Sequence, residues 1–431
     1  MMKPIEYVDV VVLGSGPAGL AAAFASAKQG ANTVVLERQE RPGGILKQCI
    51  HDGFGNLRYN ETLTGPEYAY REIQQVIAAL VPIRTNCFVA SVEHGEHHFL
   101  LNCISPSGIE RISARALVLA TGCRERTDRQ VFIHGDRPAG IFTAGLAQRL
   151  INIDGLIPGN RAVILGSGDI GLIMARRLSI EGVQVEGVHE IRHESSGLKR
   201  NIQQCLEDFD IPLYVQSTVT SVVGSQRVKA VHVAAVDVKN MPIMSTEQYI
   251  PCDTLILSVG LIPENELAHS LDVPIDPVTK GPVVDNVMHT MVDGVFACGN
   301  CVHVSDLVDY VSESGSIAGK HAAAWALDGC ADRTLVPVSR AGNLAYVVPQ
   351  MIDTSSPQRS ASCYFRVRHT IERTTQLRIN SEGQQLDCLT FDELYPPQME
   401  RFAINETIFS SIKQPSADIS IELVLVEASH D

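Results

Sequence analysis

At 431 residues, 45% of them hydrophobic, the chain has room for two or three domains and enough apolar side chains to core a globular enzyme. Its formal net charge of −14 arises without blocks of either sign, which argues against a nucleic-acid surface or a basic membrane-docking face and leaves small molecules and proteins as partners. No apolar run approaches the length of a membrane span. Met1-Met2-Lys3-Pro4 leads almost straight into the first strand, with no room for a cleavable leader, so a cytoplasmic location is expected.

In chain order, Val8 to Leu13 reads as a buried strand that feeds Gly14-Ser15-Gly16-Pro17-Ala18-Gly19 and then a helix. That is the setting in which a GxGxxG turn holds a dinucleotide. One glycine makes the bend, another lets the backbone approach a pyrophosphate, and a third lets helix and strand pack closely. Val34-Val35-Leu36-Glu37 ends the next strand and places Glu37 to accept adenosine ribose hydroxyls. A further apolar strand, Ala116 to Ala120, closes on Thr121-Gly122.

The pattern then repeats. Ala162 to Leu165 feeds Gly166-Ser167-Gly168-Asp169-Ile170-Gly171, and Val185-Glu186-Gly187-Val188-His189-Glu190 is the strand that ends on an acid. Glu190 falls near where a carboxylate grips a ribose 2′-hydroxyl and repels a 2′-phosphate, which favours NAD(H) over NADP(H). Arg192 and His193 follow at once and suit a phosphate instead, so both nucleotides stay open. Asp253 to Gly260 reads as a parallel strand ending in a glycine turn, and Asp293 to Asn300 as a buried strand feeding a helix. From about residue 334 the alternating runs Cys363 to Arg368 and Ile419 to Leu425, broken by Tyr395-Pro396-Pro397, read as strands.

Over residues 7 to 330 these motifs resemble the two-dinucleotide-binding flavoproteins of the pyridine nucleotide-disulfide oxidoreductase superfamily. The resemblance implies FAD on the first turn, with Ala120-Thr121-Gly122 as the crossing into a nicotinamide domain and Gly299-Asn300 where Gly-Asp usually holds the ribityl chain. It adds Arg38, Gly43 and Gly44 near the adenosine and pyrophosphate. It also brings helix amides around Asp309, Tyr310 and Val311 to the flavin's pyrimidine edge, where they stabilise negative charge.

Two stretches narrow the resemblance. Pro42 to Gly55 and His303 to Asp309 are similar to an NADH-oxidising flavoprotein associated with bacterial glycerol-3-phosphate dehydrogenases. Arg137 to Gln148 looks like the flavoprotein subunits of sarcosine oxidase, opine oxidase and hydrogen cyanide synthase. Such relatives imply a partner flavoprotein dehydrogenase subunit, and a homo-oligomer is also open.

The expected fold is α/β: a discontinuous FAD domain (1–122 and 263–333), an inserted NAD(P) domain (123–262) and a small β-rich C-terminal domain (334–431). The expected activity is hydride transfer between NAD(P)H and FAD, with electrons passing to oxygen, a quinone or a partner. An electron-transfer subunit of an amine or opine oxidase and a non-catalytic flavin scaffold are the alternatives.

Eleven cysteines in no framework spacing read as reduced thiols. Cys49 lies where related disulfide reductases present a redox cysteine, but Arg41 to His51 holds no second one, and no C-x-x-C precedes the second turn, which disfavours thioredoxin reductase activity. Cys298-Gly299-Asn300-Cys301 is formally a C-x-x-C with Cys301 expected at a helix N-terminus, where thiol pKa falls, though Gly299 and Asn300 already serve the FAD contact. Cys363 and Cys388 lack the close pairing an iron-sulfur cluster needs, and no metal is expected. His51 and His303 are acid/base candidates beside a flavin, with a structural role as the alternative for each.

Overall fold

The computed structural model describes residues 4–329, 332–356, 358–412 and 419–425. The chain forms two compact units, the first made of residues up to Cys123 and from Pro263 onward, the second of Arg124–Ile262.

In the first unit, strand Glu6–Leu13 is flanked by the parallel strands Thr33–Leu36 and Gly108–Leu119, and Val295–Ala297 pairs with the far side of the latter. Apolar runs such as Val10-Val11-Val12 suit strands buried on both faces. The register sets the site. Leu13 pairs with both Leu36 and Leu119, and Leu119 pairs with Ala297. Gly14, Glu37, Ala120 and Cys298 therefore leave the sheet along one edge, the carboxyl edge where α/β folds bind ligands. Gly108–Leu119 is longer than its apolar end suggests, because its first half turns antiparallel and pairs with Phe99–Ser105.

Two helices pack against this sheet. Pro17–Lys28 follows the glycine turn directly, and Val308–Asp328 packs across it. The contact is made by small residues: a Cβ on Gly315 would strike the Ala18 carbonyl, and one on Gly319 the Ala22 carbonyl. The helix expected to follow Asn300 starts later than the sequence indicates. A 3-10 turn (Gly299–Cys301) and a loop of residues 302–307 come first.

The C-terminal strands form two sheets, ordered Met351–Asp353, Leu335–Ala341, Ile419–Leu425, Thr375–Ser381, Gln384–Phe391 and Leu344–Val348, Ala361–Val367, Glu400–Ile404. They share a core of their own around Phe365, Phe402 and Phe409. The sequence sets 334–431 apart as a third domain; its described strands carry this core of their own and, by contact, group with the first unit. Side chains such as Gln350, which accepts a hydrogen bond from the Val284 amide, tie it there.

The second unit is a five-stranded parallel sheet ordered Leu213–Val215, Gln184–Glu190, Arg161–Leu165, Thr254–Leu257, Ile141–Thr143, with a mostly antiparallel sheet around Ser217–Gly224 and Val228–Ala235. Leu165 pairs with His189 and with Leu257, so the second glycine turn and Glu190 also emerge on one carboxyl edge.

Candidate functional site

The two turns are built alike. Gly14 and Gly166 take φ of +104° and +98°, which L side chains rarely adopt, and a Cβ on either would strike the carbonyl oxygen of Ala120 or Ser258 on the adjoining strand end. The third glycines, Gly19 and Gly171, would drive a Cβ into the carbonyls of Gly14 and Gly166. Gly16, by contrast, has nothing among the described residues within 4 Å of its would-be Cβ, and it is the N-cap of helix Pro17–Lys28. Its backbone is open to a phosphate group at a helix N-terminus.

Each turn is also clasped by its acid. The Ser15 amide donates to Glu37 Oε2 at 2.9 Å and the Ser15 hydroxyl at 2.6 Å. In the second unit the Ser167 amide and hydroxyl donate to Glu190 Oε2 at the same 2.9 and 2.6 Å. The spacings are 22 and 23 residues.

The acids differ in what else they hold. Glu37 Oε1 accepts the Gln39 amide. Glu190 accepts the Arg192 amide on Oε1 and the Ser196 hydroxyl on Oε2. Burial opposes its charge, yet these hydrogen bonds from Ser167, Arg192 and Ser196 hold the Glu190 carboxyl below its usual range. Asp169, at the start of the second helix, accepts the Leu198 amide and the Asn201 side chain.

Gly43, Gly44 and Gly299 lie against the first turn, and the other residues named from the sequence have partners nearby or elsewhere. The Gly43 amide donates to the Ser15 carbonyl, and a Cβ on Gly44 would lie 2.8 Å from Gly16 Cα. Thr121 donates to the Glu264 carbonyl, and Gly122 accepts the Glu264 amide. A Cβ on Gly299 would meet Ala18 Cβ at 2.7 Å, and the Gly299 amide donates to Ser314. Asn300 Oδ1 accepts the Ser305 amide. Asp309, in the first turn of Val308–Asp328, accepts the Arg58 amide, and Tyr310 lies with its ring centroid 5.3 Å from that of Tyr364. Arg38 turns outward to Glu264, 3.7 Å away.

The sequence profile of the pyridine nucleotide-disulphide oxidoreductases matches residues 8–324. The chain belongs to this family. Its members are flavin-dependent oxidoreductases that use a pyridine nucleotide. An opine oxidase subunit from Agrobacterium tumefaciens is 24% identical over 75% of this chain and 66% of its own length. The hydrogen cyanide synthase subunit HcnB from Pseudomonas protegens is 27% identical over 61% of this chain and 59% of its own length. The chain thus spans less than two thirds of these relatives. Thioredoxin reductase from T. acidophilum shares the fold, with a TM-score of 0.62 at 21% identity, covering 74% of this chain and 98% of that one.

Within a pyridine nucleotide-disulphide oxidoreductase the cysteines carry special interest, and here the structure corrects one expectation. Cys301 is not at an open helix N-terminus. It closes the 3-10 turn, fully buried, with its Sγ donating to the carbonyls of Leu119 and Cys298. Burial raises its pKa and that of Cys298, so neither thiol is activated. Cys49 hydrogen-bonds the Ile45 carbonyl, and burial pushes its thiol up to about 12. The expected outcome for Cys49→Ser is a rate of flavin bleaching by NAD(P)H within about twofold of the parent, measured by stopped-flow absorbance, because a protonated thiol is no nucleophile.

The two histidines keep separate company. The His51 ring sits 5.0 Å from Phe54 and its Nδ1 pairs with the Asp52 carbonyl. His303 is buried between Tyr364 and Tyr346, at 5.5 and 5.9 Å, and its Nδ1 has no hydrogen-bond partner among the described residues. Burial, with the Arg366 charge, lowers its pKa to about 3. An unfolded histidine takes up a proton near pH 6.5. Neutral His303 therefore adds stability that is present above that pH and lost as pH falls towards 3. Unfolding by urea between pH 6.5 and 4 will show a slope of stability against pH flatter in His303→Asn, by up to ~1.4 kcal/mol per pH unit.

Sequence reasoning missed both serines of the clasps, although serine stands second in both glycine turns. It also missed Ser196, Ser305 and Arg58. No spacing rule points to them.

Proposed function

We propose that the chain is an NADH-oxidising flavoprotein with FAD on the first turn and NADH on the second. What carries this reading is the duplicated clasp, Ser15 on Glu37 and Ser167 on Glu190, together with elements that, among the described residues, adjoin the first turn: the return at Gly299-Asn300 and the N-terminus of Val308–Asp328.

The first unit fits FAD: Gly14 and Gly19 admit no Cβ, Gly16 lies open, and the Nδ1 of buried His303, in the loop after Asn300, is an unmet polar atom among the described residues. Glu37 would hold the adenosine ribose, the amides beyond Gly16 the pyrophosphate, Asn300 the ribityl chain, and the helix amides near Asp309 and Tyr310 the pyrimidine edge. Bound FAD supplies the acceptor for a hydride from the nicotinamide and passes electrons on. On the second unit, hydrogen bonds hold Glu190 as a carboxylate, whose negative charge repels a 2′-phosphate. That favours NADH over NADPH.

Electrons would leave to oxygen, a quinone or a partner flavoprotein. A dehydrogenase of the glycerol-3-phosphate type is the favoured partner, and the relatives named as subunits of opine oxidase and hydrogen cyanide synthase support a heteromeric setting. The same relatives favour one second reading, an electron-transfer subunit reduced by a partner that oxidises an amine or opine.

Anaerobic mixing with NADH, then NADPH, separates these readings through the visible flavin band. Fast bleaching by NADH and slow bleaching by NADPH is the expected result. Bleaching by neither overturns the nicotinamide assignment and leaves the partner-reduced subunit.

A further inference from the structure

We infer that the C-terminal strands hold the flavin-side loop in its binding conformation, with Arg366 and Asp306 as positioning residues that set how tightly FAD is retained. This rests on FAD binding at the first unit.

Residues 302–307 join the turn Gly299–Cys301 to helix Val308–Asp328, so both ends of the loop belong to the nucleotide edge. The loop is tied to Asn300 through the Ser305 amide, which donates to Asn300 Oδ1 at 3.1 Å. Further holds come from the C-terminal region. Arg366, on strand Ala361–Val367, reaches the Asp306 carboxylate and the Val304 carbonyl with Nη2, the Pro397 carbonyl with Nη1 and the Tyr346 hydroxyl with Nε. The Met399 amide donates to the other carboxylate oxygen of Asp306 at 2.6 Å.

A second hold sits farther along the helix. Glu313 accepts the Ser362 hydroxyl at 3.0 Å, the Tyr364 hydroxyl, and Arg401 at 2.7 Å. Arg366 side-chain exposure is only 17%. A mostly buried guanidinium in a fixed fork orients its partner far better than a surface pair does.

The consequence is pre-organisation. A loop already held costs no ordering when a ligand binds, and one released must be ordered at binding, which weakens affinity. Loss of the Arg366 to Asp306 pair frees the segment whose Ser305 amide fixes Asn300, so the effect falls on FAD retention and not on the second unit.

The test is the dissociation constant for FAD of the deflavinated full-length chain, read by quenching of flavin fluorescence, for the parent, Asp306→Asn, Arg366→Met and the double variant. We expect each single change to weaken FAD by roughly 10- to 100-fold and the double to be no weaker than the poorer single, with Arg366→Lys recovering part of the loss. Arg378→Met, which alters an arginine bonded within its own strand to Gln376, serves as the control and leaves FAD binding unchanged. Singles within about twofold of the parent, additive losses, or an equal loss in Arg378→Met would overturn the inference. If Arg366→Met fails to fold, Asp306→Asn, which conserves volume, decides alone. A parent chain that takes up no FAD removes the underlying reading, whereas a parent that binds FAD beside unaffected variants removes the inference only.

Discussion

Glu37→Gln lowers the affinity of the first unit for FAD by on the order of a hundredfold, and the purified variant comes off the column with little yellow colour. An ionised carboxylate offers about four acceptor positions. The Ser15 amide, the Ser15 hydroxyl and the Gln39 amide occupy three of them, which leaves one for a ribose hydroxyl. A glutamine cannot serve this set. With its oxygen towards Ser15, its amide NH2 faces the Gln39 N–H; reversed, it faces both Ser15 donors. Hydrogen bonds to a charged group contribute about 1.5–3 kcal/mol each, so losing one or two accounts for the expected fall. The check is flavin absorbance per protein after purification, followed by titration of the deflavinated chain with FAD. Glu37→Ala is less informative, because it strands the fully buried Ser15 amide and destabilises the unit as well.

How much of this site is legible in the sequence follows from the physics of each part. Strand ends are legible because a strand buried on both faces is an unbroken apolar run, and a glycine turn stops it visibly: Leu13 to Gly14, Leu165 to Gly166. The acids are legible because the βαβ path has a nearly fixed length. The register that sets Leu13, Leu36, Leu119 and Ala297 abreast then places the first turn and Glu37 on one edge.

What the sequence hides is local or long-range. The long helix begins at Val308 after Leu307, with no capping side chain, so the usual start signal is missing and the pattern reads as a helix directly after Asn300. That reading puts Cys301 at an activating helix end, whereas it sits in a buried turn. Contacts between distant segments leave no trace at all. Arg366 and Asp306 lie 60 residues apart in an ion pair that neither periodicity nor motif announces.

Gly171→Ala removes reduction by NADH while leaving the flavin in place. The new Cβ would meet the Gly166 carbonyl oxygen and lie 2.8 Å from Ser258 Cβ. Both are anchored at strand ends in the middle of the second sheet, so helix Asp169–Ile180 must move instead. Overpacking of this kind costs about 1–3 kcal/mol. The shift also draws the helix amides off the line along which they meet a pyrophosphate, and flavin bleaching by NADH slows by at least about a hundredfold. Gly19→Ala is the mirror experiment, since its Cβ collides with the Gly14 carbonyl, and it must release FAD itself. Opposite phenotypes from equivalent glycines follow only if the two turns hold different nucleotides. Stopped-flow reduction together with flavin content measures both. A Gly171→Ala protein that keeps its flavin and is still bleached by NADH at the parent rate would mean that the second turn, for all its likeness to the first, is not where the nicotinamide binds.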